Sequence, residues 1–311
     1  MSQNIVEFLR EESIKNLFAT SGFNSSWNTW APYIRTLAPA LTPHQVLGLG
    51  DHLKDIFFTT NTSTRSQSDV SGGGSSWEAL VCWYLNLCLI GRRTVVIKHS
   101  KKLIPDPIAD AITVNYRNFV SNTESDLVAI TFPNTIEYLS DKDDISILDI
   151  NNLQVPTTIR KRYNLKGILN ALVARDFNQI EIHIIQCKTN WNDNAQIPML
   201  WDMIYSANTF RTDITVGRNG YSINDIQRFT YSFVTVPTVN VAKLLPTSTA
   251  IKRVTNISGG NYWGLPSVTN VSSSIKEMLD RNLRTGHASN HLTTIATEIP
   301  KINSEYSFFR L

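Results

Sequence analysis

Runs of apolar residues, and the polar positions that interrupt them, divide the chain into a small set of elements. The run Ile180-Glu181-Ile182-His183-Ile184-Ile185 leads into Gln186-Cys187-Lys188. Strand alternation places Ile180, Ile182, Ile184, Gln186 and Lys188 on one face and His183 on the other. An amide and a lysine therefore stand where a strand should bury hydrocarbon. An ammonium buried without a partner is costly enough that an anion is expected opposite Lys188. A second apolar strand, Leu127-Val128-Ala129-Ile130-Thr131-Phe132, is opened by Glu124 and Asp126 and closed by Pro133, which cannot extend a ladder. Asp126 shares a face with Val128 and Ile130. Trp77 to Ile90 is apolar nearly all round, the pattern of a buried central helix. Thr94-Val95-Val96-Ile97 reads as a short strand, Pro107 to Val120 as a helix and Phe229 to Val236 as a strand. After Lys188, Asp193 or Asn194 caps a helix whose apolar stripe is Ile197, Leu200, Trp201, Ile204 and Ala207, with Pro198 in its first turn.

Between these elements the punctuation is polar. Residues up to about Thr60 form a helical N-terminal portion, and Thr59 to Ser76, ending in Gly72, Gly73 and Gly74, reads as a mobile loop or hinge. An insertion at 134–178 is acidic in its first half (Glu137, Asp141, Asp143, Asp144, Asp149) and basic in its second (Arg160, Lys161, Arg162, Lys166, Arg175). The C-terminal third is more β-like, with Ser258-Gly259-Gly260-Asn261-Tyr262-Trp263-Gly264 as a turn carrying aromatics. The order of elements gives an α/β fold: a mixed central β-sheet flanked by helices, a helical N-terminal portion and a more β-rich C-terminal portion. The expected division is 1–70 for the helical portion and loop and 71–311 for the core, or one domain throughout.

Composition narrows the class without choosing the chemistry. With 311 residues, 42% hydrophobic and 18% charged, the chain can bury a substantial core and is not disordered throughout. A formal net charge of +3 permits nucleic-acid binding, which depends on local patches more than on the total. Cys82, Cys88 and Cys187 are odd in number, lie in apolar segments and lack CxxC spacing, which favours reduced, buried thiols. The N-terminus lacks a signal-peptide pattern, and the longest apolar stretch, Ala79 to Ile90, is interrupted by Asn86 and falls short of the roughly 20 residues that span a bilayer. The expectation is a soluble cytoplasmic protein with no membrane partner.

Asp126 at the head of one apolar strand, and Gln186-Cys187-Lys188 at the end of another, resemble the catalytic signature of the PD-(D/E)xK nuclease superfamily, and within it the type II restriction endonucleases. The resemblance covers about Glu78 to Tyr205. It implies magnesium (Mg2+) as cofactor, which takes oxygen ligands and needs only one or two carboxylates beside water and phosphate. Asp126 would be the principal ligand, with the Gln186 amide oxygen and the Cys187 carbonyl adding to it, and Lys188 would orient the attacking water. Glutamine stands where most of the family has an acid, which weakens a second cation site. Glu78 is the extra acid expected on the helix before the core strands; Ser75-Ser76-Trp77-Glu78 reads equally well as a capping box.

The partner implied is double-stranded DNA, cut at a short specific sequence, with a homodimer if that sequence is palindromic. Thr189-Asn190-Trp191-Asn192-Asp193 would lie close to the duplex, making Asn190 and Asn192 candidate contacts. Arg160-Lys161-Arg162, Arg92-Arg93 and Lys98 with Lys101-Lys102 are short basic clusters suited to phosphates, each with a solvated charged surface as the plainer reading. Two alternatives remain open: a repair nuclease that recognises DNA structure, and a non-catalytic DNA-binding or structural protein in which Asp126 and Lys188 form an ordinary ion pair. Other chemistries lack their motifs. No Gly-Lys-Ser/Thr follows the glycine run, no serine sits in a Gly-x-Ser-x-Gly elbow, and His287 and His291, though spaced for one helix face, lack the other parts of a zinc site and read as surface histidines.

Overall fold

A computed structural model describes residues 3–60, 67–121, 125–189, 196–207, 209–211, 213–236, 245, 247–262 and 274–311. Its helices are α1 (Ile5–Phe18), α2 (Ser21–Leu37), α3 (Pro43–Phe58), α4 (Gln67–Cys88), α5 (Asp106–Ala111), α6 (Ile136–Leu139), α7 (Leu165–Arg175), α8 (Gln196–Ala207), α9 (Thr249–Thr255), α10 (Glu277–Arg281) and α11 (His291–Glu298). Its strands are β1 (Thr94–Lys98), β2 (Val114–Tyr116), β3 (Phe119–Ser121), β4 (Leu127–Thr131), β5 (Thr158–Ile159), β6 (Arg162–Tyr163), β7 (Glu181–Lys188), β8 (Thr209–Arg211), β9 (Ile214–Val216), β10 (Arg228–Thr235) and β11 (Asn261–Tyr262).

The fold is mixed α/β. A five-stranded sheet runs β1-β4-β7-β10-β11, with β4 antiparallel to β1 and β7, and with β7, β10 and β11 parallel. Strands β1, β4 and β7 are nearly continuous apolar runs because both faces are covered. One face, carrying Val96, Leu127, Ala129, Ile185 and Val234, packs with α2, α3, α4 and residues 275–309. The other, carrying Val95, Ile97, Val128, Ile130, Ile182 and Ile184, packs with α5 and α7. Smaller sheets, β3-β2-β9-β8 and β5-β6, lie outside this core.

The edge of β1 is closed by side chains instead of another strand. Asn86 on α4 donates to the Val96 carbonyl at 2.7 Å and accepts from the Val96 N–H at 3.1 Å, copying a strand neighbour. Ser13 on α1 donates to the same carbonyl at 2.9 Å. Arg10, fully buried, donates to the carbonyls of Thr94 (2.9 Å) and Arg92 (2.7 Å) and to Asn86, while Glu7 balances its charge at 2.9 Å. The polar residue that interrupts the apolar Ala79–Ile90 stretch is therefore what allows that helix to lie against an open sheet edge.

Several expectations change. Of Pro107–Val120 only the beginning is helical; the β-branched Thr113 and Val114 enter a hairpin that turns at Arg117 (φ 56°). Helix α4 begins at Gln67, so the expected loop is helical from there, and Glu78 lies about three turns inside and caps nothing. Helix α7 of the 134–178 segment belongs to the core, because its Ile168, Leu169 and Leu172 are buried against the sheet. On α8 the buried side chains are Pro198 and Tyr205, with Trp201 packed beside them, and Leu200 is exposed; the proposed caps Asp193 and Asn194 lie outside the described residues. After β11, residues 274–311 are helix and turn. Trp83 on α4 donates to the Phe309 carbonyl at 3.2 Å, with both side chains buried. His291 opens α11 and is buried, its Nε2 3.2 Å from the Leu283 carbonyl, whereas His287 precedes the helix. The three cysteines are free and buried, as expected. Among the described residues no helix is long and apolar enough to cross a membrane.

Replacing Asn86 with leucine keeps the branched outline, adds bulk, and strands the Val96 N–H and one Arg10 donor. Asn86→Leu is expected to lower stability by about 2–6 kcal/mol, at about 1–3 kcal/mol for each of the two buried groups left unpaired. Urea denaturation checks this, and an unchanged midpoint would show that the edge is satisfied by other means.

Candidate active site

The site forms where β4 begins and β1 and β7 end. Leu127 pairs with Ile185 and Val128 with Ile184, so the register carried one residue further sets Asp126 opposite Gln186. There the ladder stops and the Asp126 side chain replaces it: its Oδ2 accepts the Cys187 N–H at 2.7 Å. The Asp126 backbone carbonyl accepts from the His99 N–H at 3.0 Å, which ties the end of β1 to the same point. In a strand the N–H and C=O of one residue point the same way. Lys188 offers its carbonyl to Val236 at 3.2 Å on the β10 side, so the Cys187 carbonyl points towards β4 and Asp126.

Helix α4 brings Glu78 to the same place. Its Oε2 lies 3.2 Å from the Lys98 ammonium, which also donates to the Ser75 carbonyl at 2.8 Å and the Ser75 hydroxyl at 2.5 Å. Glu78 and Lys98 are each about one-fifth exposed (21%), so the pair faces a partly open space. Burial pushes the Cys187 thiol well above its ordinary 9.0; Asp126 and Glu78 add to that shift, and Lys188 and Lys98 oppose it. One thiol thus feels all four charged groups. Of the two carboxylates, Glu78 pairs with Lys98, and Asp126 stands at the head of β4 beside the strand end that carries Lys188.

Asp126, Gln186, Cys187 and Lys188 therefore meet at one end of the sheet, and Glu78 stands with Lys98 where its charge acts on the Cys187 thiol. Gln186 is completely buried, and the amide oxygen expected to reach a metal accepts from the Tyr231 hydroxyl at 2.9 Å, joining β7 to β10. Arg160, Lys161 and Arg162 lie on a separate exposed hairpin, and Asn190 and Asn192 lie outside the described residues. Lys98 was grouped in the sequence with Lys101 and Lys102 as a phosphate cluster, yet it belongs to the site. The available signal was its position at the end of an apolar strand, the same placement as Lys188. Tyr231 had no such signal, because an aromatic in a strand reads as core.

Among the described residues no three His, Cys, Asp or Glu side chains gather to hold a metal, which leaves no closed cage of the zinc kind. Asp126 and the Cys187 carbonyl, which point towards each other, are hard oxygen donors of the kind that suits magnesium, an ion that keeps several waters and completes its shell with phosphate. The residues present fit that ion. No protein-family model matches the chain, and no curated protein matches it.

The same burial has a consequence at alkaline pH. Desolvation raises the Cys82 and Cys88 thiols from 9.0 to about 12, and Cys187 moves in the same direction. Above pH 9 the folded state holds protons that the unfolded chain has lost, so stability present below pH 9 declines as pH rises towards 12. The urea midpoint is expected to fall between about pH 9 and about pH 10.5, and Cys82→Ala with Cys88→Ala to flatten that fall. The same slope in the double variant would assign the effect to other groups.

Proposed function

We propose that this protein is a magnesium-dependent endonuclease that hydrolyses double-stranded DNA at a specific sequence, of the type II restriction kind, acting as a homodimer on two-fold symmetric sites. The observation that carries the reading is the Asp126 carboxylate held at 2.7 Å by the Cys187 N–H, one residue before Lys188 on β7, with the Glu78–Lys98 pair close enough to act on the same thiol. The order along the chain supports it: a glutamate-bearing buried helix, an acid at the head of a strand, Gln-x-Lys at the end of the next, and an amphipathic helix after it.

Asp126 and the Cys187 carbonyl would hold the cation, which supplies charge neutralisation at the phosphate and a more acidic water. Lys188 would hold the attacking water and stabilise the charge that gathers on the phosphate oxygens. Glu78 fixes Lys98 at the rim, where its ammonium meets an incoming phosphate. The protein's own charges at the site cancel, two carboxylates against two ammoniums. A divalent cation then leaves the site with two positive charges, matching the two negative charges of a phosphorane formed from a diester and hydroxide.

The Glu78–Lys98 pair also favours a second reading, a DNA-binding protein in which these groups form a static ion-pair network. Asp126→Asn separates the two, since asparagine can still accept from Cys187 but carries no charge. The nuclease reading expects Asp126→Asn and Lys188→Ala each to lower cleavage of long DNA by at least about 10²–10³-fold while remaining folded. It also expects magnesium to raise the melting temperature of the wild type and not of Asp126→Asn. Cleavage that survives both substitutions would place the active site elsewhere, and no cleavage of varied DNAs with magnesium or manganese would favour the static network.

A further inference from the structure

A basic cleft lies beyond the end of β1, close in sequence to the candidate site. It begins one residue from His99, whose N–H donates to the Asp126 carbonyl at 3.0 Å: the next residue, Ser100, lines a cleft of about 550 Å³. Lys15, Lys102 and Lys166 line it too, with Ile159 and Tyr163 from the β5–β6 hairpin. The turn of that hairpin is Arg160-Lys161, at φ 49° and 63°. Two positive φ angles are what a two-residue hairpin turn of this kind requires, and asparagine-glycine fills it with least strain. Here two cations occupy the strained positions, Arg162 follows, and all three are exposed. A strained exposed turn built from long cations is poor turn chemistry, and such outliers gather where a conformation is kept for binding.

Positive charge predominates here. Lys15, Lys102, Lys166, Arg160, Lys161 and Arg162 are six cations, and among the described residues the carboxylates lining the cleft or paired to them are three: Glu11 on Lys15 (2.7 Å), Glu12 on Lys15 (3.4 Å) and Asp106 on Lys166 (2.7 Å). We infer that this cleft and its hairpin hold the phosphate backbone of a DNA duplex beside the scissile phosphate, with Arg160 and Lys161 reaching it from the turn. The inference rests on the proposed function and adds the side from which DNA lies across the site. Each ammonium or guanidinium that neutralises a phosphate releases condensed counterions, so binding through this surface weakens with salt in proportion to the phosphates neutralised.

The test is fluorescence anisotropy of a labelled duplex of about 30 base pairs in EDTA, titrated over a range of salt concentrations. Three proteins are compared: wild type, Arg160→Asn with Lys161→Gly, and Arg35→Ala with Lys54→Ala, which removes the same charge from α2 and α3. The turn variant relieves the backbone and is expected to melt no lower than wild type, so weaker binding cannot be misfolding. Its plot of log affinity against log salt is expected to be shallower by about 0.9 for each phosphate that is no longer neutralised. The α2/α3 variant is expected to keep the wild-type slope. A slope unchanged in the turn variant, or changed equally in both variants, overturns the inference, as does a wild type that does not bind. Cleavage by a wild type whose turn variant keeps its slope removes this surface and leaves the nuclease reading standing. Slope-dependent binding without any cleavage keeps the surface and removes the nuclease.

Discussion

The open edge of β1 is the constraint on which the arrangement depends. A sheet edge that is buried must have its N–H and C=O groups answered, and here α1 and α4 answer them with Arg10, Ser13 and Asn86. These bonds fix α4 against β1 and set the height at which Glu78 stands relative to Lys98. They also hold the end of β1 where its His99 N–H reaches Asp126. The chemistry at the strand ends therefore inherits its geometry from a polar network about two turns of helix away.

At the site itself, backbone and side chain exchange roles. A carboxylate takes the place of a ladder carbonyl at the first position that β4 cannot pair, and this leaves a carboxylate oxygen at the strand end. Gln186 keeps the neighbouring position neutral and buried, braced by Tyr231. A negative residue there would lie fully buried against the Tyr231 hydroxyl and would need a cation beside it. The glutamine is thus consistent with a site that relies on few acidic ligands.

The central strands were legible because their signal is local: continuous apolar runs bordered by charge mark β4 and β7, and apolar–polar alternation marks β10, nearly to the residue. Asp126 and Lys188 were legible because each breaks an apolar pattern at a strand end. What escaped depends on partners distant in sequence. Asn86 looked like an interruption, and only its pairing with Val96 explains it. The glycine-containing stretch before Trp77 is helical because it continues a helix already anchored in the core, and elongation asks less of a sequence than nucleation. Val114, Asn115 and Tyr116 left the expected helix to pair with β3 and β9. His291 was read as a surface residue because nothing local marks the Leu283 carbonyl that receives it.

The five strands of the main sheet stand in the order in which they occur along the chain. Each new strand can join one already made, so the sheet can grow as synthesis proceeds. Its helical cover cannot, because the indole of Trp83 is sealed by the carbonyl and ring of Phe309. A nascent chain would hold its strands in order yet leave the aromatic cluster around Trp27 and Trp83 open to water until residue 309 has emerged from the ribosome.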